Sequence, residues 1–339
     1  MEALGVGDLH LGKLDSIIPD ANRLIAQSLA KVMDYAIENG VTNVFFYGDI
    51  GEKPRLSYES HVALFNVLFK KRYKDLSLKF ILGNHDWAEE GTHSLQVLET
   101  IAPFVRRDIQ VYSKPEVVDV DGSPIHFLPY PYNETKKGCV GVGHFEVKGS
   151  KRDNGRTIDE GFETNATNLL GHLHTCHRVS RNFYSGTLFQ TNFGEALPKS
   201  FHHVRWGQGS KPRDMEVENV RFKPPWKLIN LTVNTEADLK VIGKDKRSYY
   251  KLFLKDGLDL DLNRILTENP NVLRHNTFKS KNDLEVLMER DWDFDLDVAQ
   301  GLSEFDQKEV ITEFMSNAGL KKSQIKRGLD IVGNLTKVK

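Results

Sequence analysis

The chain has 339 residues, of which 39% are apolar and 27% are charged, and its 46 basic and 47 acidic residues leave a net charge of −1. This is the composition of a globular protein, so it excludes wholesale disorder, a fibrous chain and a solenoid of biased repeats. The balanced charge excludes a strongly basic nucleic-acid coat protein, although it permits an enzyme with local basic patches.

Strands and helices alternate in the first part of the chain. Apolar runs predict buried strands at residues 4–6, 41–47 and 78–82. Apolar residues at helical spacing predict helices over residues 21–39 and 57–73. Alternation of this kind favours βαβ units with parallel strands.

After residue 105 short strands dominate, and Asp121-Gly122 marks a hairpin between two of them. The polar stretch at residues 147–167 is predicted to be a long exposed loop. The strands are predicted at residues 109–112, 117–120, 125–128, 140–142, 169–170, 179–184 and 203–206.

Pro224-Pro225 is the best candidate for a domain boundary. We therefore expect a main domain over residues 1–225, a small α+β module over 226–285, and an acidic linker with C-terminal helices over 286–339. The module is predicted to contain strands at 228–233 and 249–254 and a helix at 260–268, and the final helices are predicted at 303–318 and 322–335.

The cysteine content and the length of the apolar runs indicate in which cellular compartment the protein is expected. The two cysteines cannot build a disulfide framework and fit a reducing environment. The residues after Met1 lack the pattern of a secretory signal, and no apolar run reaches the ~18 residues of a membrane span. We expect a soluble cytoplasmic protein with no membrane contact.

Polar clusters follow several predicted strands, at the point where each strand ends. In open α/β sheets such positions converge on one pocket. Carboxylate, amide and imidazole side chains together suit a pair of divalent metal ions. Each cluster alone would fit a cap or a polar turn, but their joint occurrence favours a binuclear centre. The clusters are Gly7-Asp8-Leu9-His10, Gly48-Asp49, Gly83-Asn84-His85-Asp86, Gly143-His144 and Gly171-His172-Leu173-His174.

These clusters resemble, in order, the five motifs of the calcineurin-like metallophosphoesterases. Further runs resemble the SbcD-type DNA repair nucleases within that group, and the overall length and Gly143-His144-Phe145-Glu146 are most similar to the phage recombination endonuclease subunits of this type. The motifs cover residues 1–195, and beyond residue 225 only the order of modules is similar. The further runs are His10-Leu11-Gly12, Tyr184-Ser185-Gly186-Thr187-Leu188 and Asn192-Phe193-Gly194-Glu195.

The resemblance implies an α/β fold, in which a two-sheet sandwich flanked by helices carries a small α+β capping module and C-terminal helices. It also implies two divalent ions, with manganese preferred over magnesium. Asp49 would bridge the ions, and the other ligands would divide into two sets. One set is Asp8, His10 and His174, and the other is Asn84, His144 and His172.

By the same resemblance His85 is not a ligand. It would donate a hydrogen bond or a proton to the scissile phosphate or the leaving oxygen, as a general acid or charge stabiliser, and Asp86 would orient it.

One departure from the family concerns the residues after Asp49. Family members usually carry an aromatic residue and then His or Asp at the positions of Gly51 and Glu52. Where the family has His, that residue is thought to position the DNA phosphate for exonuclease cleavage. An ionised Glu52 cannot donate a hydrogen bond and would repel phosphate. We therefore expect weakened exonuclease action and no effect on the metal ligands.

The implied function is a binuclear-metal-dependent DNA endo- or exonuclease, the nuclease subunit of an SbcCD-like recombination and double-strand-break repair complex. The implied partners are DNA, an SMC-like ATPase bound through the C-terminal helices, and a second copy of the chain; in a phage, the compartment would be the host cytoplasm. Basic residues of the second module are candidate phosphate contacts, and equally a solvated face. They are Lys240, Lys244, Lys246, Arg247 and Lys251.

Three alternatives stay open. The C-terminal helices could instead pack on the chain's own core. The enzyme could be a phosphoprotein phosphatase or a nucleotide phosphodiesterase of the same fold, although Gly51-Glu52-Lys53 and Asp86 differ from the phosphoprotein phosphatase pattern. The chain could also be a non-catalytic DNA tether or a regulator of the ATPase, with the metal site kept for structure.

Overall fold

A computed structural model describes residues 1–290, except residues 89, 90, 106, 107, 154, 196, 208 and 244. Most of the predicted acidic linker, both predicted C-terminal helices and Lys244 lie outside the described residues. Their predicted roles therefore stay predictions. None of the helices in the described ranges is both long and apolar enough to cross a lipid bilayer.

The described part of the chain contains fifteen strands, five α-helices and three short 3₁₀ helices, the last at Lys71–Tyr73, Pro212–Asp214 and Glu236–Val241. The strands are β1 (Glu2–Val6), β2 (Asn43–Phe46), β3 (Ser77–Ile81), β4 (Ile109–Tyr112), β5 (Glu116–Val120), β6 (Ser123–Leu128), β7 (Val140–Gly143), β8 (Thr167–Leu170), β9 (His177–Val179), β10 (Asn182–Tyr184), β11 (Lys199–Arg205), β12 (Glu216–Phe222), β13 (Lys227–Val233), β14 (Ser248–Lys255) and β15 (Val272–Phe278). The helices are α1 (Ala21–Glu38), α2 (Tyr58–Leu68), α3 (Gln96–Val105), α4 (Leu262–Glu268) and α5 (Lys281–Arg290).

Two six-stranded mixed sheets form the main domain. The first has the order β12-β11-β1-β2-β3-β4, in which β1 to β4 run parallel and β11 runs antiparallel to β1. The second has the order β5-β6-β7-β8-β10-β9, with β6, β7, β8 and β10 parallel. The predicted α/β sandwich is confirmed.

Aromatic and aliphatic side chains fill the space between the two sheets. The Phe127 ring stacks on Tyr112 with centroids 4.3 Å apart and meets Phe45 edge-on at 5.5 Å. Burial of one such side chain contributes about 1.5–3 kcal/mol to folding. The core residues that join the sheets include Phe45, Tyr47, Ile81, Ile125, Phe127, Val142 and Leu169.

The helices of the first half follow from local signals. α1 buries Ile25, Leu29 and Val32 at helical spacing. α2 begins after Ser57, whose Oγ accepts a hydrogen bond from Ser60 N at 3.1 Å. α1 and α2 pack against each other.

Several elements differ from the sequence predictions. The predicted strand at 179–184 is a hairpin of β9 and β10, which turns at Ser180 with φ 55°. Four elements were missed, namely β12, β15, α3 and α5. α3 contains Pro103, a residue that normally disfavours a helix interior. The predicted exposed loop at 147–167 is partly wrong, because Val147 and Ile158 are buried in a small cluster beside the second sheet.

The module after residue 225 is a three-stranded parallel sheet in the order β13-β14-β15, with α4 on it. Trp226 joins this module to the main domain, since its Nε1 donates to Gln190 O at 2.9 Å. In the module's basic cluster Lys251 is only 2% exposed and lies 5.1 Å from the Phe253 ring centroid. It is therefore wrongly placed in a surface patch, whereas Lys240, Lys246 and Arg247 are exposed.

Candidate metal centre

The polar clusters lie at one edge of the sandwich, after the carboxyl ends of β1, β2 and β3 in the first sheet and of β7 and β8 in the second. Close approach of these loops requires glycine at two positions. A Cβ on Gly83 would lie 2.1 Å from Asp49 Oδ1, and one on Gly171 would lie 2.7 Å from Asp8 Oδ1. The glycines at these two positions are thus a packing requirement of the convergent loops.

Three of the polar residues adopt left-handed backbone conformations. The φ angles are 41° at His10, 50° at Asp49 and 77° at His172. Such conformations cost of order 1–3 kcal/mol each for non-glycine residues and concentrate at functional sites. The surrounding structure therefore holds these three side chains in place against local preference.

One half of the centre brings together Asp8, His10 and His174. The Nε2 atoms of His10 and His174 lie 3.0 Å apart. Asp8 Oδ2 lies 3.4 Å from His174 Nε2 and 3.9 Å from His10 Nε2. All three side chains are largely buried. The structure thus places the first predicted ligand set around a single point.

The other half brings together Asn84, His144 and His172. Asn84 Oδ1 lies 2.9 Å from His144 Nε2 and 3.0 Å from His172 Nδ1. Asp49 Oδ2 lies 3.2 Å from His144 Nε2 and 3.9 Å from His10 Nε2, so this carboxylate reaches both halves. All seven predicted metal ligands are therefore in one cluster.

Hydrogen bonds on the far sides of two imidazoles set their tautomers. His144 Nδ1 donates to Tyr47 O at 2.7 Å, which leaves Nε2 as the atom that binds a metal ion or, in its place, a proton. His174 Nδ1 donates to Glu195 Oε1 at 2.9 Å, with the same consequence. The atoms that converge are then imidazole nitrogens and carboxyl or amide oxygens, which all present lone pairs. Such a set of atoms repels itself unless a cation lies among them. The residues present therefore fit bound divalent metal.

The charges in the cluster lead to the same conclusion. Burial alone would lower the pKa of His144, but Asp49 and Asp8 raise it to about 9. Burial alone would raise the pKa of Asp49, but His144 and His10 hold it well below its usual range. The centre attracts positive charge, and protons and metal ions compete for the same ligand atoms.

His85 lies beside the cluster. Its main-chain N donates to Asp49 Oδ1 at 2.9 Å, and its ring Nδ1 donates to Glu52 O at 3.1 Å. The His85 and His10 rings meet edge-on with centroids 5.0 Å apart. His85 thus stands next to the predicted ligands, with its orientation fixed by two hydrogen bonds.

Asp86 has a different position from the one expected. It is fully buried, and its carboxylate accepts hydrogen bonds from Ile50 N, Gly51 N, Gly83 N and Ser94 Oγ. The His85 ring is instead held by the carbonyl of Glu52. Asp86 therefore joins the loop after β2 to the loop after β3.

Replacing Asp86 with alanine is expected to destabilise the fold. Three buried main-chain amides would lose their acceptor, and each such loss costs about 1–3 kcal/mol. Urea denaturation of the metal-free protein should show a free energy of unfolding lowered by several kcal/mol. A change below about 1 kcal/mol would contradict this role.

Glu52 also departs from expectation. Its Oε2 lies 2.7 Å from His10 Nδ1, and its Oε1 lies 3.4 Å from Lys13 Nζ. Lys13 offsets the charge that was expected to repel phosphate. The expectation that Glu52 has no bearing on the ligands is wrong, because it contacts one of them.

Sequence reasoning missed the carboxylates behind His174 and His172. Asp153 Oδ2 lies 3.1 Å from His174 Nδ1, and Glu146 Oε1 lies 3.5 Å from His172 Nε2. Glu195 is fully buried beside His174 and pairs with Lys199. The only signal for Glu195 was its place in the Asn192-Phe193-Gly194-Glu195 run, and Asp153 gave none.

The mixed α/β sandwich and the side chains gathered at its strand ends are similar to those of the calcineurin-like metallophosphoesterases. The chain is 26% identical over 242 residues to exonuclease subunit 1 of Enterobacteria phage T4. The aligned region covers 66% of this chain and 68% of the phage protein. It is 23% identical over 201 residues to the DNA double-strand break repair protein Mre11 of Saccharolobus solfataricus. The aligned region covers 54% of this chain and 51% of that protein. The chain thus spans about half the length of this second relative. No family model matches the chain. The two relatives confirm the resemblance to the SbcD-type DNA repair nucleases.

Proposed function

We propose that the chain is a metal-dependent phosphodiesterase that cleaves DNA. The observation that carries this proposal is the convergence of two sets of lone-pair donors on either side of Asp49. The relatives support DNA as the substrate, because one is named an exonuclease subunit and the other a DNA double-strand break repair protein.

In this proposal Asp8, His10 and His174 hold one ion, Asn84, His144 and His172 hold the other, and Asp49 holds both. Two divalent ions, preferentially Mn²⁺, would polarise the phosphodiester and make a water molecule nucleophilic near neutral pH. The mixture of oxygen and nitrogen ligands suits manganese, although magnesium is also compatible.

The chain's own contribution to the reaction is assigned to His85. Its Nδ1 is occupied by the carbonyl of Glu52, so Nε2 is the ring atom left to act on the substrate. As a hydrogen-bond or proton donor to the scissile phosphate or leaving oxygen, it would offset the negative charge that develops there. The bond to Asp49 keeps His85 next to the metal ligands during this step.

We further propose that the chain is the nuclease subunit of an SbcCD-like repair complex. The word "subunit" in the name of the phage relative supports an assembly of this type. Residues 286–339 would bind the SMC-like ATPase, and a second copy of the chain would complete a homodimer. Exposed Lys240, Lys246 and Arg247 are the remaining candidates for contacts to DNA phosphate.

A substrate panel tests the proposed function. The purified full chain, with manganese, should cleave single-stranded DNA circles or end-labelled duplex faster than it hydrolyses a phosphopeptide or a cyclic nucleotide. The reactions should be run with and without the ATPase partner and ATP, and chelation of the metal should abolish them. Products from circles would show endonuclease action, and products from labelled ends would show exonuclease action.

Two results would contradict the proposal. DNA turned over more slowly than the phosphopeptide or cyclic nucleotide would indicate a phosphatase or nucleotide phosphodiesterase. No cleavage under any condition, with manganese shown to be bound, would indicate a tethering or regulatory subunit.

A further inference from the structure

We propose that Glu52 is a positioning residue of the metal centre, which holds the His10 ring through Nδ1 so that Nε2 faces the ion. The inference rests on the proposed function, because it assigns His10 as a ligand. It gives the residue that departs from the family pattern a role within the centre, and it removes the expected conflict with DNA phosphate.

The contact between Glu52 and His10 is short and buried. Glu52 Oε2 lies 2.7 Å from His10 Nδ1, and the two side chains are 12% and 1% exposed. The contact is electrostatic, because Oε2 lies close to Nδ1 but outside the hydrogen-bonding direction of the ring. A carboxylate this close favours a hydrogen on Nδ1 over a lone pair there. Nε2 then presents its lone pair toward Asp8 and His174.

A histidine that binds a metal ion is neutral, so the contact with Glu52 selects a tautomer of the His10 ring. A carboxylate behind a neutral imidazole raises the basicity of the opposite nitrogen and fixes the plane of the ring. Both effects strengthen the binding of a metal ion at Nε2.

Lys13 completes the arrangement. Its Nζ lies 3.4 Å from Glu52 Oε1, and its side chain is 10% exposed. One oxygen of the carboxylate therefore faces a metal ligand and the other faces a cation. An incoming phosphate meets a charge that is already paired.

The backbone around Glu52 is fixed independently of its side chain. Glu52 N donates to Leu11 O at 3.0 Å, and Leu11 N donates to Ile50 O at 2.9 Å. Packing is also tight at Gly51, where a Cβ would lie 2.9 Å from Ser94 Cβ. The departures at Gly51 and Glu52 thus form one local arrangement, in which the carbonyl of residue 52 holds His85 whatever side chain it carries.

Manganese affinity measured without DNA distinguishes an effect of Glu52 on metal binding from an effect on DNA binding. We would titrate Mn²⁺ into the full chain by electron paramagnetic resonance, for the wild type, Glu52→Ala, Glu52→Gln and Glu99→Ala. Glu99 is the matched control, because its Oε2 lies 3.2 Å from Nε2 of His93, a histidine outside the metal set. Unfolding midpoints of the metal-free proteins would confirm that each variant folds.

Glu52→Ala is expected to weaken manganese binding by about 10–100-fold, the usual effect of removing such a partner. Glu52→Gln keeps the size of the side chain and an oxygen beside Nδ1, so its loss should be smaller, and Glu99→Ala should bind as the wild type does. DNA cleavage by Glu52→Ala should fall at limiting manganese and largely recover at saturating manganese.

Unchanged manganese affinity in Glu52→Ala, with altered DNA affinity, would overturn the inference and leave the proposed function standing. If Glu52→Ala does not fold, Glu52→Gln decides in the same way, since wild-type affinity would overturn the inference and a several-fold loss would support it. A wild-type chain that binds no manganese would overturn the inference and the proposed function together.

Discussion

His85→Ala is expected to lower the rate of DNA cleavage by about 10²–10⁴-fold at saturating manganese, the usual contribution of a positioned proton donor. Manganese affinity should stay within a few-fold of the wild type, because His85 lies beside the two ligand sets. Single-turnover cleavage of end-labelled DNA, together with a manganese titration of the same preparation, measures both quantities.

His93→Ala is the matched control for this experiment. His93 is buried in the following loop and pairs with Glu99. Its loss should leave the cleavage rate near that of the wild type. Equal loss of manganese binding and activity in His85→Ala would contradict the assigned role and make His85 a ligand.

Asp49→Asn is expected to have the second large effect, because Asp49 is the carboxylate that reaches both halves of the centre. The amide retains an oxygen that can accept from His85 N, so the change removes chiefly the charge. A loss of about 4 kcal/mol in charge stabilisation corresponds to a cleavage rate lower by about 10³-fold. Manganese binding should weaken at both sites, as measured by a titration that resolves the two.

Asp34→Asn controls for the loss of a carboxylate elsewhere. Asp34 accepts a hydrogen bond from Tyr73 Oη and pairs with Arg72 on the helical side of the main domain. Removing its charge should therefore leave manganese binding unchanged. Weakened binding at only one site in Asp49→Asn, with the other intact, would contradict the bridging assignment.

The alternating strands and helices and the polar clusters were largely predictable because their signals were local, whereas the two-sheet sandwich was implied by the family resemblance. Apolar runs marked most strands, and a polar cluster after a strand is expected at the carboxyl edge of a parallel sheet. That rule was enough to group Asp8, Asp49 and Asn84, which lie far apart in the sequence. The resemblance to the metallophosphoesterases then implied how the ligands divide.

The partners behind the ligands could not be predicted, since nothing in the spacing encodes them. Glu52 lies 42 positions after His10, and Asp153 reaches His174 from a segment that looked like solvated loop. Glu52 was interpreted by its charge alone, and only its contact with Lys13 shows how that charge is offset. The resemblance assigned Asp86 to the orientation of His85, whereas its oxygens accept hydrogen bonds from main-chain amides.

Some elements were missed for reasons of length and chemistry. α3 carries Pro103 within ten residues, so helical periodicity and the usual effect of proline conflict. β12 alternates exposed and half-buried residues at the edge of the first sheet, where the apolar signal is weak. The strand predicted at 179–184 contains the tight turn at Ser180, which no glycine or proline announces.

Anomalous X-ray diffraction at the manganese edge, from crystals of the full chain grown with Mn²⁺, would locate the bound ions. We expect two manganese peaks, one among Asp8, His10 and His174 and one among Asn84, His144 and His172, with Asp49 between them. No manganese within this cluster, or manganese bound only elsewhere in the chain, would contradict the binuclear assignment.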